Sequence, residues 1–108
     1  MAFTPGDKST ATNNTTAVTV MGAPAASTQR ELKSLTIFNK DTVAATVIVR
    51  KNDNAVFFII ARKTLAVNET LEVSNVVCDS VLKSIEVVLA ANVTTNQLDC
   101  VANYADLS

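Results

Sequence analysis

From Leu32 to Tyr104 the apolar residues of this chain recur at every second position, and that period limits the folds open to it. Leu35 and Ile37 alternate with Ser34, Thr36 and Phe38. Val43, Ala45, Val47 and Val49 share one face, with Thr46 and Arg50 on the other. Ile85, Val87 and Leu89 alternate with Ser84, Glu86 and Val88, and Leu98, Cys100, Ala102 and Tyr104 again share a face. Successive side chains of a strand point to opposite sides, so a period of two buries one face of a sheet. Short β-branched runs at a spacing of roughly 8–12 residues, broken by polar turns, specify an antiparallel sandwich or barrel. The expected fold is all-β: an antiparallel β-sandwich, immunoglobulin-like or jelly-roll-like, of about six to eight short strands with an extended N-terminal arm.

Both glycines (Gly6, Gly22) and both prolines (Pro5, Pro24) fall within residues 1–29; none occurs from residue 25 onward. The turns of the later chain must therefore take any positive φ from other residues, and Asn tolerates it best. Asn39, Asn52, Asn54, Asn68, Asn75, Asn92 and Asn96 sit at or near the breaks in the period. Turn chemistry and period agree on the strand boundaries.

Composition divides the chain near residue 29. Residues 1–29 are rich in Thr, Ala, Asn and Ser, with apolar residues too few and too small to define a core. They are expected to form an extended or flexible arm, and residues 30–108 the β-sandwich domain. Within the arm, the patch "AVTVM", with Val18 and Val20, is β-prone and suited to an edge strand or a neighbouring subunit.

The run "AVFFIIA" at residues 55–61 is apolar enough for both faces of a strand. With one face in the core, Val56, Phe58 and Ile60 point outward, or the reverse set does. Ile48 and Val88 add apolar residues to the wet faces of their strands. A contiguous exposed apolar patch marks an interaction site. The expected protein interface is Val56, Phe58, Ile60 and Ile48, with Val18 and Val20 in the arm. The competing account has the arm or a long loop of the same chain covering this set.

Other chemistry is scarce. The 108 residues hold no histidine, so a serine or cysteine nucleophile lacks its usual base. Neighbouring Lys33–Ser34 and Lys83–Ser84 point to opposite strand faces. Glu69, Glu72 and Asp79 cluster in sequence without a calcium-loop pattern, and no cofactor or metal is expected. The balance of nine basic and ten acidic residues, scattered along the chain, predicts no nucleic-acid groove. No apolar run approaches the ~20 residues of a membrane span. The N-terminus has no basic region followed by an apolar one, so synthesis and folding in a cytoplasm are expected. Cys78 and Cys100 leave two readings, reduced thiols within a β core or a disulfide between neighbouring strands; the compartment favours thiols. N-x-T matches at Asn13, Asn14, Asn68 and Asn92 are put down to chance in so Asn- and Thr-rich a chain.

The run "LTIFNKDTVAATVIVRKNDNAVFFIIARKTLAVNETLEV" and the ending "VLKSIEVVLAANVTTNQLDCVANYADLS" resemble a small β-sandwich virion protein of tailed bacteriophages, of the head decoration (cement) or neck accessory type. The resemblance covers residues 35–108. At Cys78–Asp79–Ser80 the chain departs from the Gly-Asp turn expected there. It implies a non-enzymatic structural role on the capsid surface. Its implied partners are the major capsid protein or other virion proteins, together with copies of the chain itself, a trimer foremost. Residues 1–29 would then order on the shell. A neck, tail or fibre-base position in the virion is the alternative, and a cellular immunoglobulin-like binding module a further one.

Overall fold

A computed structural model describes residues 3–12, 15–91 and 98–107. These form nine strands and no helix: β1 (Phe3–Thr12), β2 (Val18–Met21), β3 (Gln29–Asn39), β4 (Ala45–Asp53), β5 (Val56–Leu65), β6 (Thr70–Val73), β7 (Val76–Cys78), β8 (Lys83–Leu89) and β9 (Leu98–Leu107). One sheet runs β1-β9-β3, with β6 and β7 end to end along the far edge of β3. The other runs β2-β8-β4-β5, and all pairs are antiparallel. Strands from opposite ends of the chain lie side by side, β1 against β9 and β2 against β8. That interleaving is the jelly-roll form of the expected sandwich.

The period-two residues fill the space between the sheets. Leu35, Ile37, Val47, Val49, Ile85, Val87, Leu98, Cys100 and Ala102 are all fully buried. Val43 is the exception, 46% exposed in the link before β4. Residues 1–29, expected as an arm, supply two strands among the described residues, one to each sheet. Val20 and Met21 are core residues. A register shift between Thr19 and Met21 leaves Val20 as an extra residue, so two consecutive apolar side chains turn inward where simple alternation allows one.

Turn chemistry follows the asparagines in part. Positive φ occurs at Asn54, Asn68 and Asn75, and also at Ser27 and Ala55. Asn39 has another task. Fully buried at the end of β3, its Nδ2 donates to the carbonyls of Val43 and Leu65, each at 3.0 Å, and its Oδ1 accepts from the Asp41 amide at 3.0 Å. The side chain ties β3 in one sheet to the end of β5 in the other. Asn13, Asn14, Asn92 and Asn96 lie outside the described residues.

Cys78 and Cys100 are buried free thiols. Cys78 pairs with Arg30 and Cys100 with Ile37, seven residues further along β3. At about 3.3 Å per residue, that separation is far beyond the span of a disulfide.

Candidate interaction surface

β5 is the outer strand of its sheet, joined to β4 by a two-residue turn at Asn54 and Ala55. Both turn residues have positive φ, 52° and 68°. The primed turns that match the twist of a hairpin require this. Asn52 Oδ1 accepts from the Ala55 amide at 2.9 Å, and the Asn54 amide donates to the Leu82 carbonyl at 3.0 Å. The hairpin tip is thereby fixed against the β7–β8 connection.

A bulge explains the seven-residue apolar run. Val49 pairs with Ala61 but Arg50 pairs with Ile59, so Ile60 is the extra residue. Ile60 and Ala61 both pack against the core. Beyond the bulge the strand overhangs it. Val56, Phe57, Phe58 and Ile59 are 55%, 47%, 55% and 61% exposed. Phe57 and Ile59, opposite the outward Asn52 and Arg50, lie on the outer sheet face. Val56 and Phe58 lie on the inner side, at the open end of the sandwich. Neither face of this segment is covered.

The residues expected at an interface therefore separate into groups. Val56 and Phe58 stand free on the surface, while Ile60 is drawn partly into the core by the bulge. Ile48 and Val88 pair with one another on the outer face and are half-buried. Val18 packs partly on the core, and Val20, 1% exposed, has no surface to offer in this fold. Sequence reasoning left out Phe57 and Ile59, because strict alternation assigned them the face opposite Phe58. It also left out Val81 and Leu82, each 54% exposed. Their signal was present: two apolar residues in a short turn segment. Leu82 is brought to the hairpin tip by its bond to Asn54.

A polar frame surrounds the patch. Arg50 stacks on the Phe57 ring, 3.8 Å from its centre, and its Nε donates to Glu86 Oε1 at 3.0 Å. Asn52 Nδ2 donates to the other carboxylate oxygen of Glu86 at 3.1 Å. Lys51 Nζ reaches the Val77 carbonyl at 2.7 Å, and Lys83 pairs with Asp79 at 2.7 Å. The Lys83 ammonium holds the exposed Asp79 carboxyl below its ordinary range. Fixed charges at the rim and apolar side chains at the centre are the usual anatomy of a protein–protein contact.

On the outer face of the first sheet a groove of about 250 Å³ is lined by Gln29, Glu31, Lys33, Val77, Ala105 and Leu107. It holds no nucleophile with a base. Among the described residues no three His, Cys, Asp or Glu side chains gather as metal ligands.

No family model matches this sequence, and no curated protein does at a significant level. Solved structures do match in fold. A chain of the cyanophage Pam1 capsid asymmetric unit aligns over 99% of this chain and 84% of its own, with a TM-score of 0.53 and 16% identity. A chain from the Bacillus endospore appendages, described as a family of disulfide-linked pili, aligns over 100% of this chain and 91% of its own, at TM-score 0.52 and 9% identity. A chain of infectious bursal virus-derived T=1 particles gives a TM-score of 0.50 at 10% identity; this chain spans 31% of it. At such identities the likeness is one of fold.

Proposed function

We propose that this protein is a structural component of a bacteriophage virion, a decoration protein that attaches to the outer head shell and stabilises it. The observation that carries the reading is the uncovered segment Val56, Phe57, Phe58 and Ile59, at the free edge of a jelly roll whose fold recurs in a cyanophage capsid chain of nearly its own length. Covering these two Phe and two aliphatic side chains, each about half exposed, contributes about 3–6 kcal/mol before the costs of association. Repeated attachment of symmetric copies multiplies a modest affinity at each contact. The partners in this reading are the major capsid protein and further copies of the chain.

The test is to locate the chain in purified particles of its source, by quantitative mass spectrometry and image averaging. Hundreds of copies on the shell are expected. A dozen or fewer at the neck or tail would move it to an accessory position, and absence from particles would end the proposal.

A second reading has its own observation. The match to an endospore appendage chain covers 91% of that chain. On that reading the protein is a subunit of an extended fibre, and the exposed segment joins subunits in a row. Electron microscopy of the concentrated protein separates the two: filaments favour the fibre, discrete oligomers the shell.

A further inference from the structure

Among the described residues the core cluster draws side chains from every strand except β1. The register on β9 puts Thr4, Gly6, Lys8, Thr10 and Thr12 on the inward face of β1, opposite Asp106, Tyr104, Ala102, Cys100 and Leu98. No apolar side chain stands among these five. Thr12 is buried, and its hydroxyl has no hydrogen-bond partner. β2, by contrast, is anchored by Val20 and Met21. β1 is thus held chiefly by its backbone ladder, ten paired positions without a bulge. Each ladder bond contributes little beside a buried aliphatic group.

The slot along β9 is nevertheless selective. A Cβ placed on Gly6 would come within 2.6 Å of Tyr104 Cε2, and the Arg30 guanidinium sits 4.5 Å from the centre of the same ring. Any side chain larger than glycine at this position has to push the tyrosine ring aside, so the slot favours glycine there. Residues 3–12 supply that glycine, and only five residues separate β1 from the anchored β2.

We infer that β1 is an exchangeable strand, and that residues 3–12 of one copy fill the slot on β9 of a second copy. Release of β1 uncovers the β9 edge without opening the core. A neighbour's β1 restores the same ladder, the same Gly6–Tyr104 contact and the same register. The exchanged and unexchanged arrangements hold the same interactions, so local concentration governs the exchange, as in strand swapping between protomers. The slot suits this chain's own segment better than a generic extended peptide because of the preference for glycine. The exchange needs no shell, so its failure would leave the proposed virion role untouched.

The experiment uses the full chain. Ser9 and Val101 are exposed register partners. Ser9→Cys and Val101→Cys variants are co-expressed as separate chains, purified at high concentration and bridged by oxidation or a short bis-maleimide. The native thiols stay out of the reaction, both being buried, with Cys100 pushed up to about 12 by desolvation. A covalent heterodimer is expected, and it should be lost when Gly6→Val is added to the Ser9→Cys chain. Lys63→Cys on β5, paired with Val101→Cys, should give none. The inference is overturned if no heterodimer forms. It is equally overturned if one forms as readily with Lys63→Cys or survives Gly6→Val.

Discussion

Arg30 and Asp106 face one another across β3 and β9 and meet twice: Nε to Oδ1 at 2.6 Å and Nη2 to Oδ2 at 3.0 Å. The remaining guanidinium nitrogen donates to the Gly22 carbonyl at 3.1 Å, so one side chain closes the end of the sandwich where β2 leads into β3. The hydrogen bonds that Arg30 donates to Asp106 hold that carboxyl below the usual carboxylate range and raise the Arg30 guanidinium. Both side chains keep some access to water, 18% and 27%, which screens the pair.

This pair makes stability depend on pH. The folded carboxylate binds its proton less readily than the unfolded one, whose pKa is about 3.9. The stabilisation is therefore complete above that value and is lost as pH falls through the lower folded value. Asp106→Asn is expected to cost about 1–3 kcal/mol at neutral pH, with the cost starting to shrink as pH falls below about 4. Urea unfolding at neutral pH and below that value measures it; an equal cost at both would show that the charge is not the cause. Arg30→Lys should not restore the loss, since an ammonium cannot make the paired contact.

Asn39 offers a separate prediction at the opposite end of the molecule. Its amide donates to two carbonyls, that of Leu65 in a buried bond and that of Val43 in a part-buried one. Asn39→Leu leaves those acceptors unsatisfied and is expected to cost about 2–4 kcal/mol. Asn39→Asp should cost at least as much at neutral pH, because a carboxylate cannot donate, and should recover partly in mild acid as the group gains a proton. Thermal unfolding compared at roughly pH 4 and pH 7, either side of most of a carboxylate's titration, reads both effects.

Asn39 was visible as a turn asparagine at the end of an alternating strand, but its bond to Leu65 depends on how the two sheets are stacked. The alternation of residues 35, 37, 47, 49, 85, 87, 98 and 100 located the core, because each inward position needs an apolar side chain whatever the topology. What alternation could not carry was the bulges. One extra residue reverses the facing of every later position in its strand, and Val20 with Met21, like Ile60 with Ala61, become consecutive inward residues. The strand in residues 3–12 was hidden for a related reason: a strand held by its ladder needs no apolar face, so β1 leaves no period to read.

The hairpin turn provides a stabilising substitution. Ala55 has a φ of 68°, where its Cβ crowds the backbone, and that side chain is exposed. Ala55→Gly removes the crowding at some cost in unfolded-state entropy, for a net gain of up to about 1 kcal/mol. Asn54→Ala, at a φ of 52°, should lose about as much. Opposite signs in chemical denaturation would confirm that both residues hold left-handed conformations; a loss from Ala55→Gly would refute it.

The apolar edge yields the prediction that bears most on function. Phe58 and Ile59 are more than half exposed and neither belongs to the core cluster, so charged replacements meet little resistance in the isolated chain. Phe57 is a poorer choice, because removing its ring also removes the stacking on Arg50. Phe58→Asp and Ile59→Asp are each expected to shift unfolding stability by no more than about 0.5 kcal/mol. Attachment to particles, or self-association in sedimentation, should instead fall sharply, since burying a carboxylate in the contact carries a desolvation cost that the cross-strand neighbours Lys51 and Arg50 offset only in part. Should both variants still assemble like the natural chain, the edge is not the contact. Should either unfold by several kcal/mol, the segment is covered by its own molecule, and the contact must be sought on the outer face around Ile48 and Val88.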